Sequence, residues 1–159
     1  MHYDAIGNQF GLFEHTPGAP YVLVGSHLDS QPRAGRFDGA YGVLAGAHAC
    51  AELFRAASAG EVELSRNLCV VNWFNEEGCR FKPSMMGSSV YTGKRDLEEA
   101  LEVRDTAGVS VRDALDALGQ RGEGSIPEAT AYVELHIQQG KSMEEDGFTC
   151  LLYTSDAAD

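Results

Sequence analysis

The stretch Gly25–Gly39, GSHLDSQPRAGRFDG, decides how the rest of the chain is read. It sets a histidine, His27, and an aspartate, Asp38, on either side of a loop punctuated by glycine and proline. Just before it, Tyr21 to Val24 (YVLV) is a short apolar run bounded by Pro20 and Gly25. That pattern predicts a buried strand, with His27 just past its carboxyl end. Just after it, Ala40 to Ala57 predicts a helix whose apolar stripe is Leu44, Ala47, Ala51 and Phe54, recurring at spacings of three and four. His48 lies beside that stripe and reads as a helix-surface or packing histidine. Leu68 to Phe74 (LCVVNWF) is a second buried strand that ends on Asn75-Glu76-Glu77. Strand, helix and strand within this length imply a right-handed crossover and parallel pairing.

Upstream, Tyr3 to Glu14 reads as two short strands with Gly7-Asn8 as the turn between them. Downstream, Arg80 to Gly93 has no clean period and reads as a long loop with room for one helical turn. A short helix is expected over Asp96 to Val103. A second runs over Val111 to Leu118, capped by Ser110 and closed by Gly119. Gln120 to Pro127 is a linker, and Ala131 to Ile137 predicts a third strand carrying His136 near its end. Three segments thus share one plan, a strand followed by polar groups at its carboxyl end, where open α/β sheets place their sites.

Those polar groups are two imidazoles and three carboxylates, a nitrogen/oxygen ligand set for two transition-metal ions. Asp38, in the glycine-rich RFDGAYG, has two oxygens with which to bridge two ions. Asp29, two residues after His27, is on the same side of an extended backbone and can accept the spare imidazole N–H. Glu76 and Glu77 are adjacent and point to opposite sides if extended, so one can bind metal while the other works on a bound water. Taken singly, a strand-end histidine, a Glu-Glu pair and a Gly-rich turn each have an ordinary structural reading. Their joint placement after separate strands is what carries the inference.

Composition narrows the classes. The 159 residues suffice for one domain with a core, and 43% hydrophobic with 23% charged residues is ordinary for a globular protein. A net charge of −12 argues against a nucleic-acid partner, because phosphate binding needs a basic face. No apolar run has membrane-spanning length, and MHYDAIGNQF lacks the basic and apolar regions of an export signal, so the expected compartment is the cytoplasm. Cys50, Cys69, Cys79 and Cys150 form no CxxC pair and read as reduced, mostly buried thiols. Residues 1–149 read as a truncated metallohydrolase catalytic domain. Residues 150–159 (CLLYTSDAAD) read as a non-native tail translated from a sequencing adapter.

Four segments, GSHLDSQPRAGRFDGAYGVLAG, VVNWFNEEGCRF, MMGSSVYTG and AYVELHIQQG, resemble the N-carbamoyl-amino-acid amidohydrolases. That family takes in L-carbamoylases, metal-dependent β-ureidopropionases and allantoate amidohydrolases, within the dinuclear aminoacylase/carboxypeptidase superfamily. The resemblance implies an α/β fold: a partial catalytic domain with a mostly parallel sheet flanked by helices, the lid and dimerisation domain being absent. It implies His27, Asp38 and His136 around one metal, Asp38 bridging to a second, and Glu77 on that second metal. Glu76 would be the general base acting on a metal-bridging water, Asp29 would orient the first histidine, and Gln139 would contact substrate. Two divalent ions, zinc or manganese before cobalt or nickel, and a cis peptide at Asp38–Gly39 are implied as well.

The same resemblance implies hydrolysis of the ureido C–N bond of an N-carbamoyl-L-amino acid or N-carbamoyl-β-alanine by an intact, homodimeric parent. Allantoate hydrolysis, or peptide or acyl-amide cleavage, is the alternative within the superfamily. A non-catalytic metal- or ligand-binding relative is the alternative from another class. Gln138 and Lys141 depart from the family's usual Glu and Pro. The family's lid arginine, its final metal histidine and a helical segment before Met1 have no counterpart here, so the chain itself is expected to be inactive.

Overall fold

The computed structural model describes residues 1–33, 35–123, 127–138 and 145–147. Its centre is a five-stranded sheet, in spatial order β1-β2-β4-β3-β5. The strands are β1 (His2–Tyr3), β2 (Gln9–Phe13), β3 (Tyr21–His27), β4 (Asn67–Trp73) and β5 (Ala129–Val133). Strand β3 lies parallel to β4 and to β5, so the three site-bearing strands run the same way. The β1–β2 hairpin continues the sheet antiparallel from the other edge of β4. Apolar β3 and β4 occupy the middle, as their near-continuous Val/Leu runs require.

Helix α1 (Ala40–Ser58) makes the crossover between β3 and β4. Its inward face is not the predicted stripe. Gly42, Val43, Gly46, Cys50 and Ala57 are buried, whereas Leu44 is 68% exposed. The helix lies so close to β3 that a Cβ at position 46 would meet the Val24 side chain at 3.0 Å, and only very small residues fit there. A search for large apolar residues at helical spacing therefore selects the wrong side. Of the predicted set, Phe54 packs on the sheet with its ring 5.7 Å from that of Phe13.

On the opposite face Phe10, Leu23, Cys69, Val71 and Trp73 form one apolar cluster, which Tyr91 of α2 (Met86–Tyr91) covers. Helix α2 falls within the stretch Arg80 to Gly93, read as a loop with room for one helical turn. A second cluster joins Ile6, Phe81 and Met86 to α3 (Leu97–Leu101) and α4 (Val111–Leu118). The predicted caps of α4 are present: Ser110 Oγ accepts from the Asp113 amide at 3.0 Å, and Gly119 closes the helix at φ 64°. Cys50 and Cys69 are buried, which pushes their thiols up to about 11 and about 12; Cys79 is exposed. Cys150 and the whole 150–159 tail lie outside the described residues. Among the described residues no helix is long and apolar enough to cross a membrane.

Strand β5 is shorter than predicted, and all five of its residues are exposed at the sheet's edge. Past Val133 the ladder gives way to side-chain contact, Ser26 Oγ donating to the Glu134 carboxylate, so His136 sits in an irregular segment beyond the strand.

Buried asparagines tie the loops to this frame. Asn67, 1% exposed, accepts from the His15 and Thr16 amides and donates to the Thr16 and Ala19 carbonyls, every contact at 2.8–2.9 Å. Replacing it by alanine would strand those backbone groups. We expect Asn67→Ala to lower the unfolding free energy by about 1–3 kcal/mol in urea denaturation, with the slope unchanged.

Candidate metal centre

The end of β3 delivers His27, 1% exposed, to the carboxyl edge of the sheet. Its Nδ1–H donates to the Asp29 carbonyl at 2.8 Å, which turns Nε2 toward the cleft. Asp38 comes back to the same spot because Gly39 turns the chain at φ 65° directly into α1. A Cβ on Gly39 would lie 2.5 Å from His27 ring atoms, so the aspartate loop and the histidine touch only through a glycine. The described residues hold one cis peptide, Lys82–Pro83. The expected cis bond at Asp38–Gly39 is trans, its turn being made by the left-handed glycine and the Ala40 amide donating to the Asp38 carbonyl at 2.6 Å. Gly42, one turn into α1, leaves room for the Ser26 Cβ, which a side chain there would meet at 2.8 Å, and for the Leu135 carbonyl. That close approach brings the segment after β5, and hence His136, over the helix terminus.

His136 Nδ1–H donates to the Ile137 carbonyl at 2.8 Å, so its Nε2 also faces inward. The two Nε2 atoms lie 3.4 Å apart. Asp38 Oδ1 is 3.7 Å from His27 Nε2 and 3.2 Å from His136 Nε2. Donors held ~2.1 Å from one tetrahedral ion are ~3.4 Å from each other, so these three separations fit a divalent ion. Two imidazole Nε2 atoms turned on each other beside a buried carboxylate also suit a cation between them.

A second group meets the first at His27. His27, Glu76 and Glu77 place one donor atom each within 4.8 Å of one another, and Glu76 Oε2 is 3.5 Å from His27 Nε2. The neighbouring glutamates therefore converge and do not diverge as an extended segment would have them. The reason is the turn at Asn75, whose φ is 49° and whose side chain donates to the Phe81 carbonyl at 2.8 Å. Glu77 falls in with His27 and Glu76, beside the group that contains Asp38. Glu77 Oε1 is buried with no hydrogen-bond partner, a further mark of a place built for a positive ion.

Asp29 makes contacts beyond the one expected with His27. Its carboxylate accepts from the Glu76 and Glu77 amides at 3.1 and 3.0 Å, while its backbone carbonyl takes the imidazole N–H. The Asp29 carboxylate stands 3.6 Å from His27 Nδ1, beyond a good hydrogen bond. Burial by itself pushes His27 down, but Asp29 and the Glu76 carboxylate outweigh it and hold the imidazole up to about 9. Burial pushes the Glu76 carboxyl up; His27 opposes this, and the Glu77, Asp29 and Glu134 carboxylates reinforce it. A raised carboxyl beside a ligand cluster suits a group that takes up and returns a proton. Sequence reasoning missed Ser26, Gln31 and Glu134 as partners; only the polar composition of the two motifs signalled them. Gln139 lies outside the described residues.

Because one carboxylate holds both glutamate amides, we expect Asp29→Ala to destabilise the chain by about 1–3 kcal/mol. Asp29→Asn, which keeps one acceptor oxygen, should cost less. Thermal unfolding followed by circular dichroism compares them, and equal melting points for wild type and Asp29→Ala would remove the clamp from the account.

No protein-family model matches the chain. It is 58% identical over 155 residues to a hydrolase of Mycolicibacterium smegmatis, covering 94% of this chain and 35% of that protein. It is 41% identical to an N-carbamoyl-L-amino acid amidohydrolase of Geobacillus stearothermophilus, covering 92% of this chain and 36% of that one. With the allantoate amidohydrolase of Bacillus subtilis the identity is 38%, over 96% of this chain and 37% of the relative. Among solved structures, a hydantoinase/carbamoylase family amidase from Burkholderia ambifaria superposes with a TM-score of 0.77 at 43% identity, over 92% of this chain and 35% of that one. The corresponding amidase from Burkholderia vietnamiensis gives 0.80 at 38% identity, over 92% and 35%. The chain spans 35–37% of the length of these relatives. Over nearly all of its own length, by sequence and by fold, the chain is homologous to amidohydrolases of the carbamoylase/allantoate family.

Proposed function

We propose that this chain is the metal-holding core of a longer amidohydrolase that cleaves the ureido C–N bond of an N-carbamoyl amino acid, either an N-carbamoyl-L-amino acid or N-carbamoyl-β-alanine. The observation that carries the reading is the convergence of His27, Asp38 and His136 at 3.2–3.7 Å, with Glu76 3.5 Å from the shared histidine. His27, Asp38 and His136 hold one divalent ion; Asp38 and Glu77 offer oxygens to a second, with zinc or manganese ahead of cobalt or nickel. Such ions, when bound, acidify a water and polarise a carbonyl. Glu76 takes the proton from the attacking water and returns it to the leaving nitrogen, and its burial keeps it basic enough to do so. Asp29 keeps both glutamate amides in place through the cycle, and Gln139 contacts the substrate. The products are the free amine, ammonia and carbon dioxide. The parent works as a cytoplasmic homodimer on a small molecule.

Allantoate is the second reading, favoured by the 38% identity to an allantoate amidohydrolase over 96% of the chain. Presenting N-carbamoyl-β-alanine, an N-carbamoyl-L-amino acid and allantoate to the full-length parent separates the two by relative kcat/KM. In that parent, Glu76→Gln should retain its metal by elemental analysis and lose turnover by at least about a hundredfold, in keeping with loss of a general base. Survival of turnover would remove Glu76 from the role, and turnover on none of the three ureido compounds would leave a binding protein as the better reading.

The 159-residue chain by itself supplies three ligands at the first position and two carboxylates at the second. Titrated with zinc, it should take up about one ion tightly, rise in melting temperature, and fall back on chelation. Turnover of N-carbamoyl-β-alanine should be absent. Two equally tight ions would contradict the ligand assignment.

A further inference from the structure

Gln31 lies four residues beyond His27, on an exposed stretch of the same loop. Its Nε2–H donates to Glu77 Oε2 at 2.7 Å. The other oxygen, Oε1, is left buried and without a partner. We propose that Gln31 is a positioning residue: it anchors one oxygen of Glu77 and so presents the other to the ion at the second metal position. This rests on the reading of Glu77 as a metal ligand.

The chemistry explains why an amide stands there. A lysine or arginine at this distance would neutralise the carboxylate and compete with the ion for it. A carboxamide donates one hydrogen bond, removes one rotational choice and leaves the full negative charge for the cation. Partners that orient a ligand in this way typically change metal affinity 10- to 100-fold when lost. The contact also complements the Asp29 clamp. Asp29 fixes the Glu77 backbone amide, Gln31 fixes the far end of the same side chain, and both come from the loop that carries His27. The first metal position, formed by His27, Asp38 and His136, does not involve Gln31.

The test is a cobalt titration of the full chain, followed by visible absorption, on wild type, Gln31→Met, Glu77→Gln and the double variant. Methionine keeps the length of the side chain and removes its donor. We expect Gln31→Met to weaken the second, weaker binding event about tenfold and alter its spectrum, leaving the first within twofold. In the Glu77→Gln background the same change should have no further effect, because Gln31 acts only through Glu77. An unchanged second event, or an effect that persists without the Glu77 carboxylate, overturns the inference and leaves the ligand assignment standing. Wild type with no second event, or indifferent to Glu77→Gln, overturns the ligand assignment itself and this inference with it. Melting of the metal-free proteins should be the same for wild type and Gln31→Met; a lower melting point assigns Gln31 a structural role instead.

Discussion

The carboxylate of Asp29 is the joint on which the site turns. It receives two consecutive backbone amides from the end of β4 while the same residue's carbonyl takes the His27 N–H at the end of β3. Two parallel strands bring their carboxyl ends side by side but do not prescribe how the following loops bend. Asp29 does, by giving the amides of Glu76 and Glu77 one shared acceptor. The orientation of the imidazole and the placing of both glutamate backbones draw on that one residue, alongside the turn at Asn75. A charged acceptor suits the task, since hydrogen bonds to an ionised carboxylate are about twice as strong as neutral ones.

Around the joint, closeness is obtained by leaving side chains out. Gly39 lets the Asp38 loop lie against the His27 ring, and Gly42 lets the segment after β5 lie against the start of α1. The site is assembled from three chain segments distant in sequence, and in both places the contact is backbone against backbone or ring. Ionisable groups are thereby brought within a few ångströms of each other, which is electrostatically costly without a cation. Burial, reinforced by neighbouring carboxylates, pushes Glu76 up, and the carboxylates beside His27 hold it up against its burial.

Much of this was legible in the sequence, and what was not has definite causes. Strands β3 and β4 were readable from bounded apolar runs, and α4 from the Ser110 and Gly119 caps, because each signal is local. The residues that converge were readable too, since each followed a strand or a Gly-rich turn. The buried face of α1 was not, because it is made of Gly42, Gly46 and Cys50, and small residues leave no apolar periodicity. The convergence of Glu76 with Glu77 was missed because Asn75 adopts a left-handed conformation held by the Phe81 carbonyl further along the same loop. The division of labour within Asp29, carboxylate to one loop and carbonyl to another, depends on three dimensions and has no pattern in one.

Strand β5 carries a further meaning. Its ladder is with β3 along one edge, Tyr132 adds a bond from the Trp73 indole N–H at 3.0 Å, and His136 follows it in the chain. In energetic terms an edge strand with exposed side chains is among the parts of a sheet whose local opening costs little. Each opening carries one imidazole away from the other. The affinity of the centre for an ion therefore includes the free energy of keeping an edge strand closed. An ion gripping both rings would act as a rivet between the rim of the sheet and its middle, so that slow amide exchange in residues 129–133 would report occupancy of a site several residues away.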